Sequence, residues 1–172
     1  MSMDKSNTLE SYPVSVFIIS TLVSLLIYGI GAYLISLFGL IWVMVYLAFV
    51  LFMEFRLLRG HCVDCYYFGR TCAFGKGYVS SLLFPKGDPD RFCRMTITWK
   101  EILPDFLVFM IPVLAGVLSL VLAFSWLVLV LVIALILLGF AGNAFVRGNL
   151  ACRYCKQREL GCPAEQLFNK RK

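Results

Sequence analysis

Charge is what this 172-residue chain lacks over much of its length. No Asp, Glu, Lys or Arg stands between Glu10 and Glu54, and none between Asp105 and Arg147. Charged residues make up 15% of the whole and hydrophobic ones 60%, against about 25% and roughly 45–50% in a soluble domain. Two uncharged tracts of more than 40 residues each exclude an ordinary water-soluble fold. The chain's one histidine, His61, lies outside them, so the tracts carry none of the ionisable groups that proton relays and ion pathways keep inside a membrane. That argues against an ion-coupled transporter.

Other absences narrow the reading further. There is no C-x2-C-x2-C run, the familiar spacing of ferredoxin clusters. Gly69-Arg-Thr-Cys-Ala-Phe-Gly75-Lys76-Gly77 is no phosphate loop, because its glycines are one residue too far apart and no Ser or Thr follows Lys76. It reads as a flexible basic loop. No A-x-A cleavage site follows the first tract, which is too long for a signal-peptide core, so the first hairpin is expected in the mature protein.

What is present follows from those gaps. A bilayer core of about 30 Å takes roughly 20 helical residues to cross, so each tract predicts one helical hairpin and the chain four spans. Backbone in lipid must satisfy its own polar groups, which favours helices over open strands. The expected fold is an all-α integral membrane protein of two tandem pseudo-repeat hairpins. Its segments are 1–12, hairpin 13–55, a cysteine-rich loop 56–103, hairpin 104–146 and a cysteine-rich tail 147–172. Gly29-Ile-Gly31-Ala-Tyr33 and Ser125-Trp126, near the tract centres, are the expected turns.

Eight Lys or Arg lie in 54–105, seven from Arg147 onward, and Lys5 stands alone before the first tract. Four spans put all of them on one side, which the positive-inside rule makes the cytoplasm. The expected location is the cell membrane, multi-pass, with both termini and both cysteine-rich segments cytoplasmic. The net charge of +6 then suits anionic headgroups better than nucleic acid.

Landmarks recur in matching order. Glu10-Ser-Tyr-Pro13 and Glu101-Ile-Leu-Pro104 both read E-x-x-P, and Arg59-Gly60 and Arg147-Gly148 both follow a hairpin. Cys62, Cys65 and Cys72 repeat as Cys152, Cys155 and Cys162, each triplet being C-x2-C-x6-C. With an even number of spans per half, the repeats are parallel, and a pseudo-twofold axis along the membrane normal would bring the triplets together.

All seven cysteines lie outside the uncharged tracts. Juxtamembrane cysteines can be lipidated, but packing alone would not put them there. A reducing cytosol disfavours disulfides, and C-x2-C as a redox pair does not call for a third cysteine. Metal binding does. Zinc prefers four N or S ligands in a tetrahedron, so each triplet is one short. Cys93 and His61 can complete the count, making two four-coordinate sites.

Ligand sharing is the other solution. Ala151-Cys-Arg-Tyr-Cys-Lys-Gln-Arg-Glu-Leu-Gly-Cys162 resembles half of the zinc binuclear cluster of fungal transcription factors. The resemblance implies two zinc ions held by six cysteines, with Cys62 and Cys152 bridging. It covers about 11 residues twice, and here residues 73–151 and two spans intervene, so only the coordination carries over and not DNA recognition. An iron–sulfur cluster is the alternative cofactor, since four cysteines serve it too.

Residues 78–94, with Leu82-Leu83-Phe84 among Lys86, Arg91 and Arg94, read as lying on the membrane surface. Asp88-Pro-Asp90 reads as a turn and not a catalytic pair. Asn143 and Gly139-Phe-Ala-Gly142 read as helix-packing elements. No catalytic residue stands out. The expected function is a docking platform or accessory subunit of a membrane complex, built on a cytosolic zinc module. The partners expected are the lipid bilayer and a membrane protein, with no substrate readable. The alternative is a membrane-bound redox protein using iron–sulfur clusters or thiol pairs.

Overall fold

The computed structural model describes residues 8–95 and 99–162, without the side chains of 99–102. Lys5, the Glu101 side chain and the tail beyond Cys162 lie outside the described residues. Every regular element among those described is helical, apart from one isolated parallel bridge between Leu9 and Cys155. Helix α1 spans Val14–Ser36, α2 Leu40–Gly60, α3 Lys76–Leu83, α4 Pro89–Arg94, α5 Trp99–Leu122 and α6 Trp126–Leu137. A last short helix, α7, covers Gln157–Gly161.

Four helical stretches are long and apolar enough to cross a membrane: Val14–Ser36, Leu40–Asp64, Leu103–Leu122 and Trp126–Tyr154. The described chain divides into two compact units. One gathers residues 8–21, 56–95 and 145–162, and the other 22–55 and 99–144.

In the second unit, Ile27 and Leu34 of α1 pack with Phe109 and Val113 of α5 and with Val128, Val132 and Leu135 of α6. Ile35 turns toward Tyr46, Val50 and Met53 of α2. The first hairpin turns at Leu37–Gly39, where Gly39 takes φ +114° and its N–H donates to the Ser36 carbonyl (3.1 Å). It does not turn at Gly29–Tyr33, which is ordinary α-helix. Gly31 serves close packing instead, because a Cβ there would press on the Tyr46 hydroxyl and on Pro112 Cγ. The second hairpin does break before Trp126, with Ser125 extended as its N-cap residue.

The two E-x-x-P prolines sit differently. Pro13 immediately precedes α1, but Pro104 and Pro112 both lie inside α5, because that helix begins at Trp99. Pro112 has no N–H to give the Val108 carbonyl. The buried Tyr46 hydroxyl donates to that oxygen instead (3.0 Å). Helix α2 also runs past the uncharged tract, so Glu54 falls within a span and accepts from the Tyr28 hydroxyl (2.6 Å).

The fourth span ends irregularly. Leu138–Gly142 and Val146–Ala151 are π-helical. Gly60 precedes Cys62 by two positions, whereas Gly148 precedes Cys152 by four. The longer spacing falls within the second π-helical stretch and the turn after it.

Candidate metal centre

Both C-x2-C segments fold as the same turn. Cys62–Asp64 and Cys152–Tyr154 are 3-10 turns, each closed by a bond from the second cysteine's N–H to the first cysteine's carbonyl (3.4 Å in both). Cys65 and Cys155 then turn extended, at φ −81°, ψ 150° and φ −78°, ψ 120°. Their carbonyls accept from the N–H three residues on, at Phe68 (3.0 Å) and Arg158 (3.2 Å). One local sequence pattern has produced one local conformation twice.

The two turns are stitched together directly. The Tyr66 N–H donates to Gln157 Oε1 (2.7 Å), and the Lys156 N–H donates to the Tyr67 hydroxyl (3.0 Å). That hydroxyl donates in turn to the Leu9 carbonyl (2.6 Å). Leu9–Tyr12 forms a wedge between the cysteine segments: the Leu9 N–H reaches the Tyr154 carbonyl (3.0 Å), and the Tyr12 N–H reaches that of Thr71 (2.9 Å). The Tyr12 hydroxyl donates to the Ala151 carbonyl. Tyr12, Tyr67, Ala73 and Ala151 form a buried cluster in this unit, and Cys65, Cys72 and Cys155 pack against it. Tyr66 lies between Arg70 (5.0 Å) and Lys156 (5.5 Å), both over its ring.

Burial pushes the Cys65 thiol up to about 12, opposed by the backbone N–H of Tyr67 and helped by the neighbouring Cys155, Cys72 and Cys162. Burial likewise raises Cys155 to about 11, with Cys162 and Cys152 adding to it. The Cys65 thiol thus feels cysteines of both triplets, and the Cys155 thiol those of its own. Among the described residues, no three His, Cys, Asp or Glu side chains are spaced to hold an ion.

The remaining expected ligands are placed as follows. Cys93 Sγ donates to the Leu160 carbonyl (3.2 Å) and lies 3.7 Å from Gln157 Nε2, beside α7, the helix that immediately precedes Cys162. Cys152 is exposed, and Cys62 is half-buried at its turn. His61 follows α2, with its N–H on the Leu57 carbonyl (3.0 Å) and a buried Nδ1 that makes no hydrogen bond.

Two site-building residues escaped the sequence reading. Gln157 is 2% exposed and bridges the triplets through its amide. Asp64, also 2% exposed, lies inside Cys62-Val-Asp-Cys65, the one signal that pointed to it. Its Oδ1 accepts from the Asp88 N–H (2.9 Å), and Arg91 Nε stands 3.7 Å from Oδ2. Asp88 caps α4, accepting from the Asp90 N–H (3.0 Å) with Pro89 at the first helical position. Asp88-Pro-Asp90 is thus a helix start that docks on the first cysteine turn.

Comparison with protein-family models, with curated proteins and with solved structures finds no match to this chain.

Proposed function

We propose that the protein is a multi-pass membrane protein whose two cysteine triplets join on the cytoplasmic side around zinc. The resulting surface serves as a docking platform for a membrane-protein partner. One observation carries the reading: two identically folded C-x2-C turns, about ninety residues apart in sequence, are hydrogen-bonded to each other and share one small core. Cys65, Cys72, Cys155 and Cys162 are the four donors of the first ion, matching the tetrahedral sulfur set that structural zinc takes. Cys62, Cys152, Cys93 and His61 remain for a second. The sixteen basic residues on the cysteine-bearing side supply the orientation.

Binding needs thiolates, so uptake releases protons, and the ion's charge opposes the burial that raises Cys65 and Cys155. Metal analysis of anaerobically purified protein, with an absorption spectrum, tests the reading. The expected result is about one to two zinc ions per chain and no visible band. Cys65→Ser and Cys155→Ser should each release the first ion. Full zinc retention in either would overturn the four-thiolate site. A brown protein with visible absorption would make the cofactor an iron–sulfur cluster and the function electron transfer.

A further inference from the structure

Helix α3 is built inside out. The residues it buries are Gly77 and Ser80, the smallest it has. Those it exposes are Tyr78 (57%), Val79 (43%), Leu82 (69%) and Leu83 (59%). A helix on a water-facing surface arranges itself the other way, with an apolar stripe inward and polar residues outward. Gly77 is required on the inner face, since a Cβ there would overlap the Tyr67 carbonyl oxygen. The outer face therefore needs a cover of its own.

The start of α3 says what that cover is. Gly75, its N-cap residue, sits against the ring of Phe17, so closely that a Cβ on Gly75 would overlap it. Phe17 belongs to the first turns of α1, the first of the four apolar spans. The preceding residue, Phe74, lies beneath the Arg147 guanidinium at 5.6 Å, where the fourth span is ending. α3 thus begins at the level where two spans meet the membrane surface. Lys76 opens it and Lys86 follows it, placing cations where anionic headgroups lie. Tyr78 is of the residue type enriched at that depth.

We propose that α3 lies on the bilayer surface and inserts Tyr78, Val79, Leu82 and Leu83 into the boundary between headgroups and acyl chains, anchoring the cysteine-bearing unit to lipid. Helix α4 takes no part: it buries nothing, and its Asp88–Arg91 end is committed to Asp64. This rests on the four apolar helices being spans, and is independent of any metal.

Photo-crosslinking tests it in the full chain, reconstituted in nanodiscs of phosphatidylethanolamine and phosphatidylglycerol. Benzoylphenylalanine replaces Leu82, Val79, Asp90 or Leu114, the last being a lipid-facing control in α5 (66% exposed). The expected result is lipid adducts at Leu82 and Val79 in yields of the same order as at Leu114, and only background at Asp90. Adducts at Leu114 without any at Leu82 overturn the proposal. So do adducts from Leu82 to a second copy of the chain, which would make the face a protein interface. Failure at Leu114 itself would remove the spans, and the proposal with them.

Discussion

Gly77→Ala should destabilise the cysteine-bearing unit, although Gly→Ala within an exposed helix ordinarily stabilises by about 0.5–1 kcal/mol. The reversal comes from geometry. A Cβ at position 77 overlaps the Tyr67 carbonyl oxygen and comes within 2.9 Å of that of Arg70, and both are backbone atoms that cannot swing aside. Helix α3 must back away from the loop. That stretches the bond from the Gly69 N–H to the Gly77 carbonyl (3.0 Å) and the contact from the Gly77 N–H to Cys72 Sγ (3.4 Å). Overpacking of this kind costs about 1–3 kcal/mol, which exceeds the helix-propensity gain. For a unit of 60–100 residues the midpoint then falls by roughly 10 °C. All seven cysteines lie in this unit, so a thiol-reactive maleimide dye reports its unfolding alone in a detergent melt. Gly60→Ala is the matched control, because nothing lies within 4 Å of a Cβ there, and it should leave the midpoint unchanged or raise it. A Gly77→Ala melt at or above the wild-type midpoint would refute the packing argument.

Tyr46→Phe removes the donor that replaces the proline-deleted helix bond at Val108, and should cost about 1–2 kcal/mol in a mild-detergent-to-SDS unfolding titration. Asp64→Ala should free residues 85–91 from the first cysteine turn, because the Asp88 N–H loses its acceptor. Trypsin cleavage after Lys86 is then faster, whereas Arg91→Ala, whose side chain is 70% exposed, changes it little. The Glu10–Lys156 pair (2.8 Å) gives a pH signature. Lys156 holds the Glu10 carboxyl below its ordinary 4.5, so its contribution is present above that pH and lost as pH falls through the lowered value. Lys156 is held above 10.5, so its contribution is present below that pH and lost only as pH rises through the raised value. Thermal midpoints from pH 3 to 8 should show a small acid-side loss in the wild type that Lys156→Met abolishes.

The four long apolar helices were legible because a helix able to cross lipid follows a rule that composition alone can satisfy, an unbroken apolar run of about twenty residues. Where each hairpin turns was half legible. Ser125-Trp126 marks its break because a polar residue and an interfacial aromatic interrupt an apolar run. Gly29 and Gly31 misled, since both lie in ordinary helix, and glycine at position 31 marks the close approach of Tyr46 and not flexible backbone. At the candidate centre, C-x2-C encoded its own turn through bonds no more than a few residues long. The stitching of Tyr66 to Gln157 and of Leu9 to Tyr154 depends on contacts across 91 and 145 positions, which no local pattern carries.

The composition of that unit bears on why it would need a metal. The buried cluster that joins its cysteine segments is Tyr12, Tyr67, Ala73 and Ala151, of which two are alanines, and among the described residues of the unit only Leu58 and Val146 stand beside it as buried apolar side chains. Small cores seldom supply more than about 3–5 kcal/mol, and small folds commonly add disulfides or a structural metal to compensate. Tyrosine hydroxyls already replace apolar area here by holding the Leu9 and Ala151 carbonyls. Among the described residues no disulfide joins the segments. An ion held by Cys65, Cys72, Cys155 and Cys162 would cross-link two chain segments that otherwise meet through a few hydrogen bonds and thin packing. Chelation should therefore lower the melting midpoint of the cysteine-bearing unit while leaving the SDS titration of the span-bearing unit, led by Leu34 and Leu135, in place. Equal loss in both would mean that the ion, if bound, is not what ties these turns together.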